Sequence, residues 1–549
     1  MKRRVIKMND TEFNLIDEPW IRVMDKSCNV IEVPLKDAIV NAHEYKALKG
    51  ELPTQDVAVM RVILAVLHTV ISRYDEDGGE NALEDDEDEA LERWKAWWDN
   101  GKFPEKAVSD YLSKWHERFW LFHPERPFFQ VAGLNMGTDY DSPKLNGEIS
   151  ESSNKVRLFS SYSGNSKTVL SYSQAARWLL YLNAYDDVSS KPTKEGKAKA
   201  GGSLPSPGVG WLGKLGLIYL VGDNLFETLM LNLIMINKDE VQYDQKPIWE
   251  KEIISGSERT EIAMPDNLAE LYTIQSRRIL LNKKGNEVIS YKLLGGDFFE
   301  KENAFFEPMT VWRVPKKSED PITPRRHDPS KQMWREFSVL YNNENKEDRN
   351  KRSGVVNWYC NYLYGNNCIP TDHIMKTAIA SVEYGDKDFF VKNVFSDSIT
   401  MHSAILSELG KDWRSSIETE IKRCSELAGA IAYLAQNLYV ASGGSNSSKD
   451  KHYSEIANTA KEQLYYRLDV PFREWLRSVE PGCSQQEKQK KLFDWQDTAK
   501  KISKRYADEL VNSQAETAII GHIVDDRIYS APKAINDFRS RVKQIYERT

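Results

Sequence analysis

Residues 208–214 have the spacing that comes nearest to a nucleotide-binding motif in this sequence. Gly208, Gly210 and Gly213 fit the pattern G-x-G-x-x-G, and Gly208 with Lys214 fits G-x-x-x-x-G-K. A dinucleotide site follows a strand and opens a helix, so that the helix N-terminus faces the phosphates. Here a loop precedes the glycines, an apolar run typical of a strand follows them, and Leu215 stands where the second pattern needs Ser or Thr. The order of elements argues against a nucleotide site, and a nucleotide-binding enzyme using residues 208–214 is kept as the alternative.

Residues that could bind a metal or act as catalytic groups are few and scattered. His116 and His123 have no Cys, His or carboxylate at a recognised ligand spacing, and His327 with Asp328 lies in a proline-rich turn. The sequence contains neither G-x-S-x-G nor H-E-x-x-H. Its 5 cysteines are odd in number and widely spaced, which favours a reducing compartment. The absence of these motifs lowers the odds of an enzyme without excluding one, and the residues give no candidate for a catalytic group, a metal site or a cofactor.

A loop at 191–210, KPTKEGKAKAGGSLPSPGVG, has a composition that suits contact with nucleic acid. Lys199 and its neighbouring lysines can supply charge for phosphates, while Gly201 and Gly202 allow the backbone to approach a strand closely. Loops are often rich in Lys and Gly for solubility alone, so a solvated flexible loop is the alternative reading.

A second basic segment is predicted to form a hairpin tip. Lys283 and Lys284 are followed by Gly285-Asn286, and Arg277 and Arg278 precede them. A lysine on such a tip can enter a groove of the double helix, although such a pair more often forms a simple solvated turn. Residues 313–335 add a further basic stretch, which could bind phosphates or an acidic protein.

The elements that must position these segments change in character along the chain. Apolar residues at helical spacing predict helices at 55–74, 91–99, 107–122 and 171–185, a polar loop at 138–165 and a buried strand at 215–221. After about residue 400 four long amphipathic helices are predicted at 413–440, 453–479, 487–510 and 531–547. We therefore predict an α+β fold, with a large irregular mixed N-terminal domain at 1–390 and a C-terminal four-helix bundle at 391–549.

The charge of the chain is unusual for a protein that binds DNA. The 549 residues carry a formal net charge of -7, and residues 80–92 form an acidic block. Such a protein can bind nucleic acid if its basic groups converge on one face, or if a partner supplies most phosphate contacts. The N-terminus lacks the apolar region of a signal peptide, and no run approaches the ~18 apolar residues of a membrane span. A cytoplasmic protein without a membrane partner is expected.

Residues 13–23 read FNLIDEPWIRV, a long pattern that resembles the opening signature of the CasA family. That family provides the large subunit of the type I-E CRISPR surveillance complex, called Cascade. Later segments resemble the family's following elements in the same order: WKAWWDNGKF (94–103), HPERPFFQV (123–131), PIWEKE (247–252), VVNWY (355–359) and EYGDKDFF (383–390). The helical C-terminal third is similar to the family's four-helix bundle, so that the resemblance covers nearly the whole chain.

The resemblance implies a non-enzymatic role in antiviral defence. Members of the family recognise the short protospacer-adjacent motif (PAM) in double-stranded target DNA and wedge the duplex open beside it, so that the guide RNA can pair. They then help to recruit a helicase–nuclease. The implied partners are the other Cascade subunits, the guide RNA, target DNA at the PAM and the helicase–nuclease. A scaffold subunit without DNA contact is a further alternative.

The family's functional elements can be carried over to matching positions of this sequence. By resemblance, a guide-contact loop with an exposed Phe falls at 158–161, a glycine loop at 199–202, a lysine finger at one of two lysines and a wedge at 385–389. The residues concerned are Phe159, Ser160 and Ser161; Lys199, Gly201 and Gly202; Lys283 and Lys284; and Gly385, Asp386, Lys387 and Asp388.

Two departures from the family pattern affect these assignments. The Cys-rich insert that many members carry near the lysine finger is missing, so no structural zinc is expected there. The wedge offers Asp386, Lys387 and Asp388 where the family usually has an amide side chain. Because readout in the minor groove is degenerate, a relaxed PAM preference is expected.

Overall fold

The structure, a computed structural model, describes residues 11–151, 162–188, 208–253, 261–262, 265–299, 306–315, 322–341, 350–447 and 449–547. The chain forms two compact units. Unit 1 comprises residues 1–330, 339–370 and 376–398, and unit 2 comprises residues 331–338, 371–375 and 399–549. The predicted α+β class with a helical C-terminal region is confirmed, while the domain limits 1–390 and 391–549 stay a prediction.

The helices of the N-terminal part vary widely in length. They are α1 (Leu35–Val40), α2 (Pro53–Ile71), α3 (Glu87–Asn100), α4 (Glu105–Lys114), α5 (Ser142–Leu145), α6 (Asn165–Thr168), α7 (Tyr172–Tyr185), α8 (Leu225–Leu231), α9 (Leu268–Tyr272) and α10 (Gly354–Asn357). α10 continues into a π-helix at Trp358–Tyr364.

The strands form several small sheets. They are β1 (Glu12–Asn14), β2 (Ile21–Asp25), β3 (Val30–Val33), β4 (Tyr45–Leu48), β5 (Trp120–Phe122), β6 (Thr138–Asp141), β7 (Leu170–Ser171), β8 (Leu217–Val221), β9 (Ile236–Asn237), β10 (Glu240–Val241), β11 (Glu261–Ile262), β12 (Arg277–Lys284), β13 (Glu287–Gly295), β14 (Phe298–Phe299), β15 (Trp312–Arg313), β16 (Thr323–Pro324), β17 (Asn350–Lys351), β18 (Ile374–Tyr384) and β19 (Val391–His402). Two sheets carry the hairpins of interest: β12-β13-β6, with β7 also on β13, and β19-β18-β8.

The core helix of unit 1 is α2, and its sequence explains why. Nearly every position from Thr54 to Ile71 is buried, so the helix is enclosed on all sides rather than along one stripe. Among the described residues it is also the one helix long and apolar enough to cross a membrane, by length and composition alone. The length and composition of α2 therefore differ from the expectation that no apolar run approaches the length of a membrane span. Because 94% of its most apolar window is buried inside the protein, the core of a globular unit accounts for its composition.

α7 is the second organising helix of unit 1, and its start is fixed locally. The Ser171 hydroxyl accepts from the Gln174 backbone N–H, and the Gln174 side chain returns a bond to the Ser171 N–H, which forms a capping box. The predicted helix at 171–185 is therefore confirmed. With 14 residues at ~1.5 Å each, α7 is about 20 Å long.

The opening segment 13–23 packs into the N-terminal core, as its residues suggest. Trp20 is fully buried, and its indole N–H donates to the Leu15 carbonyl at 2.8 Å. Immediately after it, β2 pairs with β3 and β4. The largest side chain of the signature, Trp20, is therefore closed to solvent and packs in the core.

Unit 2 contains the bundle. Its long helices are α11 (Lys411–Ala441), α12 (Lys451–Arg477), α13 (Gln485–Asn512) and α15 (Ala531–Glu547), which confirms the four predicted helices. The segment 331–338 belongs to this unit, where the Trp334 ring stacks on Phe472 with centroids 4.2 Å apart and its N–H donates to Asp469 at 2.8 Å. Sequence periodicity could not have assigned this short segment to the bundle.

Two expectations about local structure are wrong in detail, and one connection contains additional elements. The helix expected at 107–122 ends at Lys114, and the chain then forms β5, because Trp120–Phe122 pairs with β1. The polar loop expected at 138–165 contains β6 and α5, since β6 gains a ladder with β13. Between α13 and α15 the chain forms α14 (Glu516–Ile520) and the hairpin β20 (His522–Val524) with β21 (Arg527–Tyr529).

A buried ion pair joins distant parts of unit 1. Both terminal nitrogens of Arg61, on α2, donate to the Glu307 carboxylate at 2.9 Å. Arg61 lies 4.3 Å from the Tyr272 ring centroid, and the Trp211 indole donates to Glu307 at 3.3 Å. Neither charged side chain has more than 2% of its surface exposed. The pair is thus fully desolvated and fully hydrogen-bonded, the condition under which such a pair is tolerated.

Removing one member of this pair should strongly destabilise unit 1. We expect Arg61→Met to lower the free energy of unfolding by ~3–5 kcal/mol, because Glu307 would stay buried without a counter-charge. The measurement is chemical denaturation followed by tryptophan fluorescence. The control is Asp99→Asn, which breaks the exposed Lys95–Asp99 pair, 44% and 58% exposed, and should change stability by no more than ~0.5 kcal/mol. Equal effects of the two variants would contradict the assignment.

Candidate DNA-contacting site

The wedge predicted at 385–389 is the tip of the β18–β19 hairpin. The Gly385 N–H donates to the Phe390 carbonyl at 2.8 Å, and the Asp388 N–H donates to the Gly385 carbonyl at 3.0 Å. Lys387 and Asp388 have positive φ angles of 54° and 60°. The tip is therefore a tight turn whose two central residues lie in a sparsely populated backbone region, held by its own hydrogen bonds.

Gly385 occurs at the position where this turn has no room for a side chain. An added Cβ would lie 2.3 Å from the Phe390 ring. Phe389 and Phe390 are 44% and 38% exposed, so the turn presents two aromatic side chains to solvent directly after the charged residues. Apolar wedges of this kind can insert between base pairs.

The predicted glycine-loop residues Lys199, Gly201 and Gly202 lie outside the described residues. The described residues on either side of the loop, Val188 and Gly208, show where its two ends are. The Val188 N–H donates to the Asp388 carbonyl at 3.1 Å, which joins the first end directly to the wedge turn.

Arg277 closes the neck of this loop. Its Nε donates to the Asp186 carboxylate at 2.6 Å, and its Nη2 donates to the carbonyls of Gly208 at 2.6 Å and Asp187 at 3.3 Å. One guanidinium therefore binds the backbone on both sides of residues 189–207. The Arg277 and Asp186 side chains are 0% exposed, so Arg277 is not available to DNA phosphates, contrary to its appearance in the sequence as part of a basic cluster.

Two of the three glycines of residues 208–214 are explained by close packing, and Gly208 has a positive φ angle of 64°. An added Cβ on Gly210 would lie 2.4 Å from the Ala184 carbonyl oxygen, and one on Gly213 would lie 2.0 Å from the Tyr384 hydroxyl oxygen. Residues 211–214 form one turn of 3-10 helix that leads into β8. No α-helix of the described residues begins here, and a single 3-10 turn followed by a strand lacks the long helix N-terminus that a dinucleotide or phosphate loop needs.

The two candidate finger lysines differ sharply in their surroundings. Both lie on β12, next to the β12–β13 turn at Gly285-Asn286, as predicted. Lys283 pairs with Glu12, and its ammonium lies 5.0 Å from the Phe122 ring centroid. The Lys283 ammonium also holds the pKa of the Glu12 carboxyl below its ordinary value. Lys284 is exposed and makes no ion pair with any residue of the described ranges.

α7 relates the lysine hairpin to the wedge. At its first residue, the Tyr172 hydroxyl bonds the Gly285 carbonyl at 2.9 Å, beside Lys284. At its last residue, the Tyr185 carbonyl accepts from the Tyr384 hydroxyl at 2.9 Å, beside the wedge. The structure thus brings the wedge and the neck of the glycine loop together, and it separates both from the lysine hairpin by the length of α7.

The predicted guide-contact residues Phe159, Ser160 and Ser161 also lie outside the described residues. Tyr162, which follows them, bonds Glu148 at 2.6 Å. The structural position of the guide-contact loop therefore stays a prediction.

Comparison with known proteins gives a consistent result. The sequence model of the family described as CRISPR-associated protein Cse1 matches residues 14–506. The chain belongs to the Cse1 (CasA) family. A curated relative, the CRISPR-associated protein CasA/Cse1 of Thermus thermophilus, is 31% identical over 338 residues, which span 60% of this chain and 60% of the relative.

Solved Cse1 structures share the fold over the full length. The Cse1 structure of Thermobifida fusca is 26% identical with a TM-score of 0.81, and the match covers 98% of this chain and 99% of that one. Cse1 of Acidimicrobium ferrooxidans is 24% identical with a TM-score of 0.77, covering 97% and 98%. A chain of a CRISPR RNA-guided surveillance complex, 17% identical, has a TM-score of 0.69 and covers 97% and 99%. The last two likenesses concern the fold alone.

In this Cse1-family chain, Arg326 lies beside the wedge, and the sequence did not identify it as a site residue. Arg326 pairs with Asp388 at 3.3 Å and lies 5.6 Å from the Tyr384 ring centroid. The sequence showed it only as one of several basic residues between 313 and 335, and nothing local distinguishes it from them. The relevant signal is spatial, since 62 residues separate Arg326 from Asp388.

In this Cse1-family chain, the contact between Gly213 and Tyr384 should affect the stability of the region at the base of the wedge hairpin. We expect Gly213→Ala to cost ~1–3 kcal/mol of unfolding free energy, because a methyl group cannot occupy a position 2.0 Å from the Tyr384 hydroxyl. Denaturant titration measures the loss.

Two control variants test the cause. Gly429→Ala in α11, where an added Cβ meets nothing within 4 Å, should stabilise by up to ~1 kcal/mol through helix propensity. Adding Tyr384→Phe to Gly213→Ala removes the clashing oxygen, so the double variant should lose less stability than the sum of the two single losses. Additive losses would show that the two residues do not press on each other.

Proposed function

We propose that this chain is the large subunit of a type I-E CRISPR Cascade complex, in which it recognises the PAM in double-stranded DNA and opens the duplex beside it to start R-loop formation. The observation that carries the proposal is the bond between the Val188 N–H and the Asp388 carbonyl, which joins the end of the glycine loop to the wedge turn. In this proposal, the segment that leads into the glycine loop is anchored on the turn that splits the duplex.

The separation along α7 suits a duplex that approaches its opening point. A double helix rises ~3.4 Å per base pair, so ~20 Å corresponds to about six base pairs. A duplex lying along this direction would meet Lys284 along its length and the wedge turn at its end. The lysine then holds the duplex, and the wedge acts where the strands separate.

Of the two lysines, Lys284 is the better candidate for the finger. Lys283 would have to give up Glu12 and the Phe122 ring before it could enter a groove. Lys284 has no such competing contact among the described residues. In this proposal Lys283 and Tyr172 stiffen the hairpin from below, because Tyr172 bonds both Glu12 at 2.8 Å and the Gly285 carbonyl.

The energetic requirement on this subunit is modest. Unstacking one base step costs a few kcal/mol, and pairing of the guide RNA with the target strand offsets that cost as the heteroduplex grows. A net charge of -7 limits trapping on random DNA, since non-specific affinity comes almost entirely from phosphate neutralisation. Local cations at the site are then sufficient.

The remaining parts of the proposal concern partners. We propose that the chain assembles in the cytoplasm with the other Cascade subunits and the guide RNA, that Phe159, Ser160 and Ser161 contact the complex near the guide, and that the subunit helps to recruit the helicase–nuclease. It acts without catalysis of its own. Support comes from membership of the Cse1 family and from the fold shared with a chain of an RNA-guided surveillance complex.

The assembled complex should distinguish the roles of the two lysines. We expect Lys284→Ala to weaken binding to a PAM-containing duplex roughly tenfold, ~1.4 kcal/mol, by removing the cation from the groove. Lys283→Ala should chiefly lower the unfolding free energy, because Glu12 loses its partner. Gel-shift titrations on duplexes with different PAMs, together with denaturation of the free subunit, measure the two effects.

The matched control is Lys102→Ala, which removes an exposed lysine from the turn after α3. It should leave PAM-dependent binding unchanged. Unchanged binding for Lys284→Ala and for changes in Asp386, Lys387 and Asp388 would refute the site assignment. Tight binding of ATP or NAD that Lys214→Ala abolishes would instead favour the nucleotide-binding enzyme, and failure of 199–202 to crosslink to DNA would favour the scaffold.

A further inference from the structure

Arg326 is held in place by the residues on either side of it. The Arg325 N–H donates to the Val311 carbonyl at 2.9 Å. On the other side, the His327 ring Nε2 donates to the Leu217 carbonyl at 3.1 Å. Burial lowers the pKa of His327 to about 4, so the ring is neutral at physiological pH and serves as a fixed donor. The residues directly before and after Arg326 are thus each hydrogen-bonded to a carbonyl, and these two bonds fix the position of the Arg326 backbone.

Glycine allows this segment to approach β8 so closely. An added Cβ on Gly216 would lie 2.2 Å from the Arg325 carbonyl oxygen. The contact presses the arginine-bearing segment against the strand that pairs with β18, the first strand of the wedge hairpin. Arg326 and the wedge turn thus belong to one rigid framework within unit 1.

The Arg326 side chain makes two contacts at the wedge. Its Nη1 lies 3.3 Å from the Asp388 carboxylate, and its guanidinium lies 5.6 Å from the ring of Tyr384, whose hydroxyl is bonded to α7. The arginine side chain is 41% exposed and that of Asp388 is 38% exposed. The ion pair is therefore open to solvent and can be exchanged for another anion.

We propose that Arg326 is a further residue of the DNA-opening site: it positions the wedge turn through Asp388 in the free subunit and transfers to a backbone phosphate of the DNA when the duplex is opened. The inference rests on the proposed function and adds to it a residue and a mechanism that family resemblance does not supply. Its ligand is a phosphate of the strand that turns away at the wedge.

The charges at the wedge turn explain why such an exchange is needed. Asp386 and Asp388 outnumber Lys387, so the turn by itself would repel the phosphates it must pass between. In the free chain Arg326 neutralises Asp388 and supports a turn that contains two positive φ angles. An exposed ion pair contributes little to stability, whereas the planar guanidinium binds a phosphate with two parallel hydrogen bonds. The duplex therefore gains more from Arg326 than Asp388 loses.

The salt dependence of DNA binding tests this exchange in the assembled complex. Each phosphate contact contributes about 0.9 to the slope of log affinity against log salt concentration. We expect Arg326→Gln to weaken binding to a PAM-containing duplex by roughly tenfold at low salt and to reduce this slope by about 0.9. Arg326→Lys should restore the slope, since a lysine also displaces a counterion, without restoring the full affinity.

Two further variants separate the phosphate contact from general charge and from folding. Lys102→Gln removes one exposed positive charge from the turn after α3, away from the wedge in the sequence, and should leave the slope unchanged. Asp388→Asn removes the competing anion and should tighten binding severalfold when Arg326 is present, and distinctly less in the Arg326→Gln background, where only the direct repulsion of the phosphates is relieved. Thermal unfolding of each free subunit checks that the variants fold.

The outcomes identify which idea has failed. A wild-type complex with no PAM dependence would overturn the proposed function itself. If the wild type depends on the PAM but Arg326→Gln keeps the wild-type slope, or if Arg326→Lys fails to restore it, the role of Arg326 is wrong while the proposed function stands. Equal tightening by Asp388→Asn with and without Arg326 would likewise overturn the exchange.

Discussion

The site depends on one buried ion pair, that of Arg277 with Asp186. Without it the guanidinium would be an uncompensated charge in the interior, a loss that costs ~3–5 kcal/mol at such positions. The same guanidinium binds the carbonyls of Asp187 and Gly208, so this buried pair holds together the described residues that flank residues 189–207.

A rigid neck also determines what the surrounding elements can do. Val188 is bonded to the wedge turn, and Arg277 binds the backbone carbonyls of Asp187 and Gly208, so the described chain on either side of residues 189–207 is tied to that turn. α7 carries the constraint further, since Tyr384 bonds its last residue and Tyr172 at its first residue bonds the lysine hairpin. Packed helices of this length transmit displacement because interiors are close-packed. In the proposed function, these contacts would couple duplex recognition to duplex opening without a large moving part.

The sequence could reveal the features that follow from local patterns. Helical periodicity predicted α2, α7 and the four bundle helices, and the lysine pair before Gly285 predicted a hairpin tip. It could not reveal that Arg277 is internal, because a buried arginine and an exposed one look alike until the partner Asp186 is found 91 residues away. The same limit hid Arg326, and it made glycines that serve close packing resemble a phosphate loop. Contacts between residues that are far apart in the sequence decide whether such a residue is buried or exposed, and local sequence patterns do not reveal those contacts.

The net negative charge of the chain can be related to these contacts. A strongly basic surface would bind any DNA and would slow the search for a target, since non-specific affinity rises with each phosphate that is neutralised. Two arginines at the candidate site are held in ion pairs. Arg277 is fully buried against Asp186, and Arg326 pairs with Asp388. In the mechanism that we propose, a cation that is released only when a phosphate competes for it contributes affinity at the opened duplex and little elsewhere. Selectivity would then come from the geometry of the turn rather than from net charge.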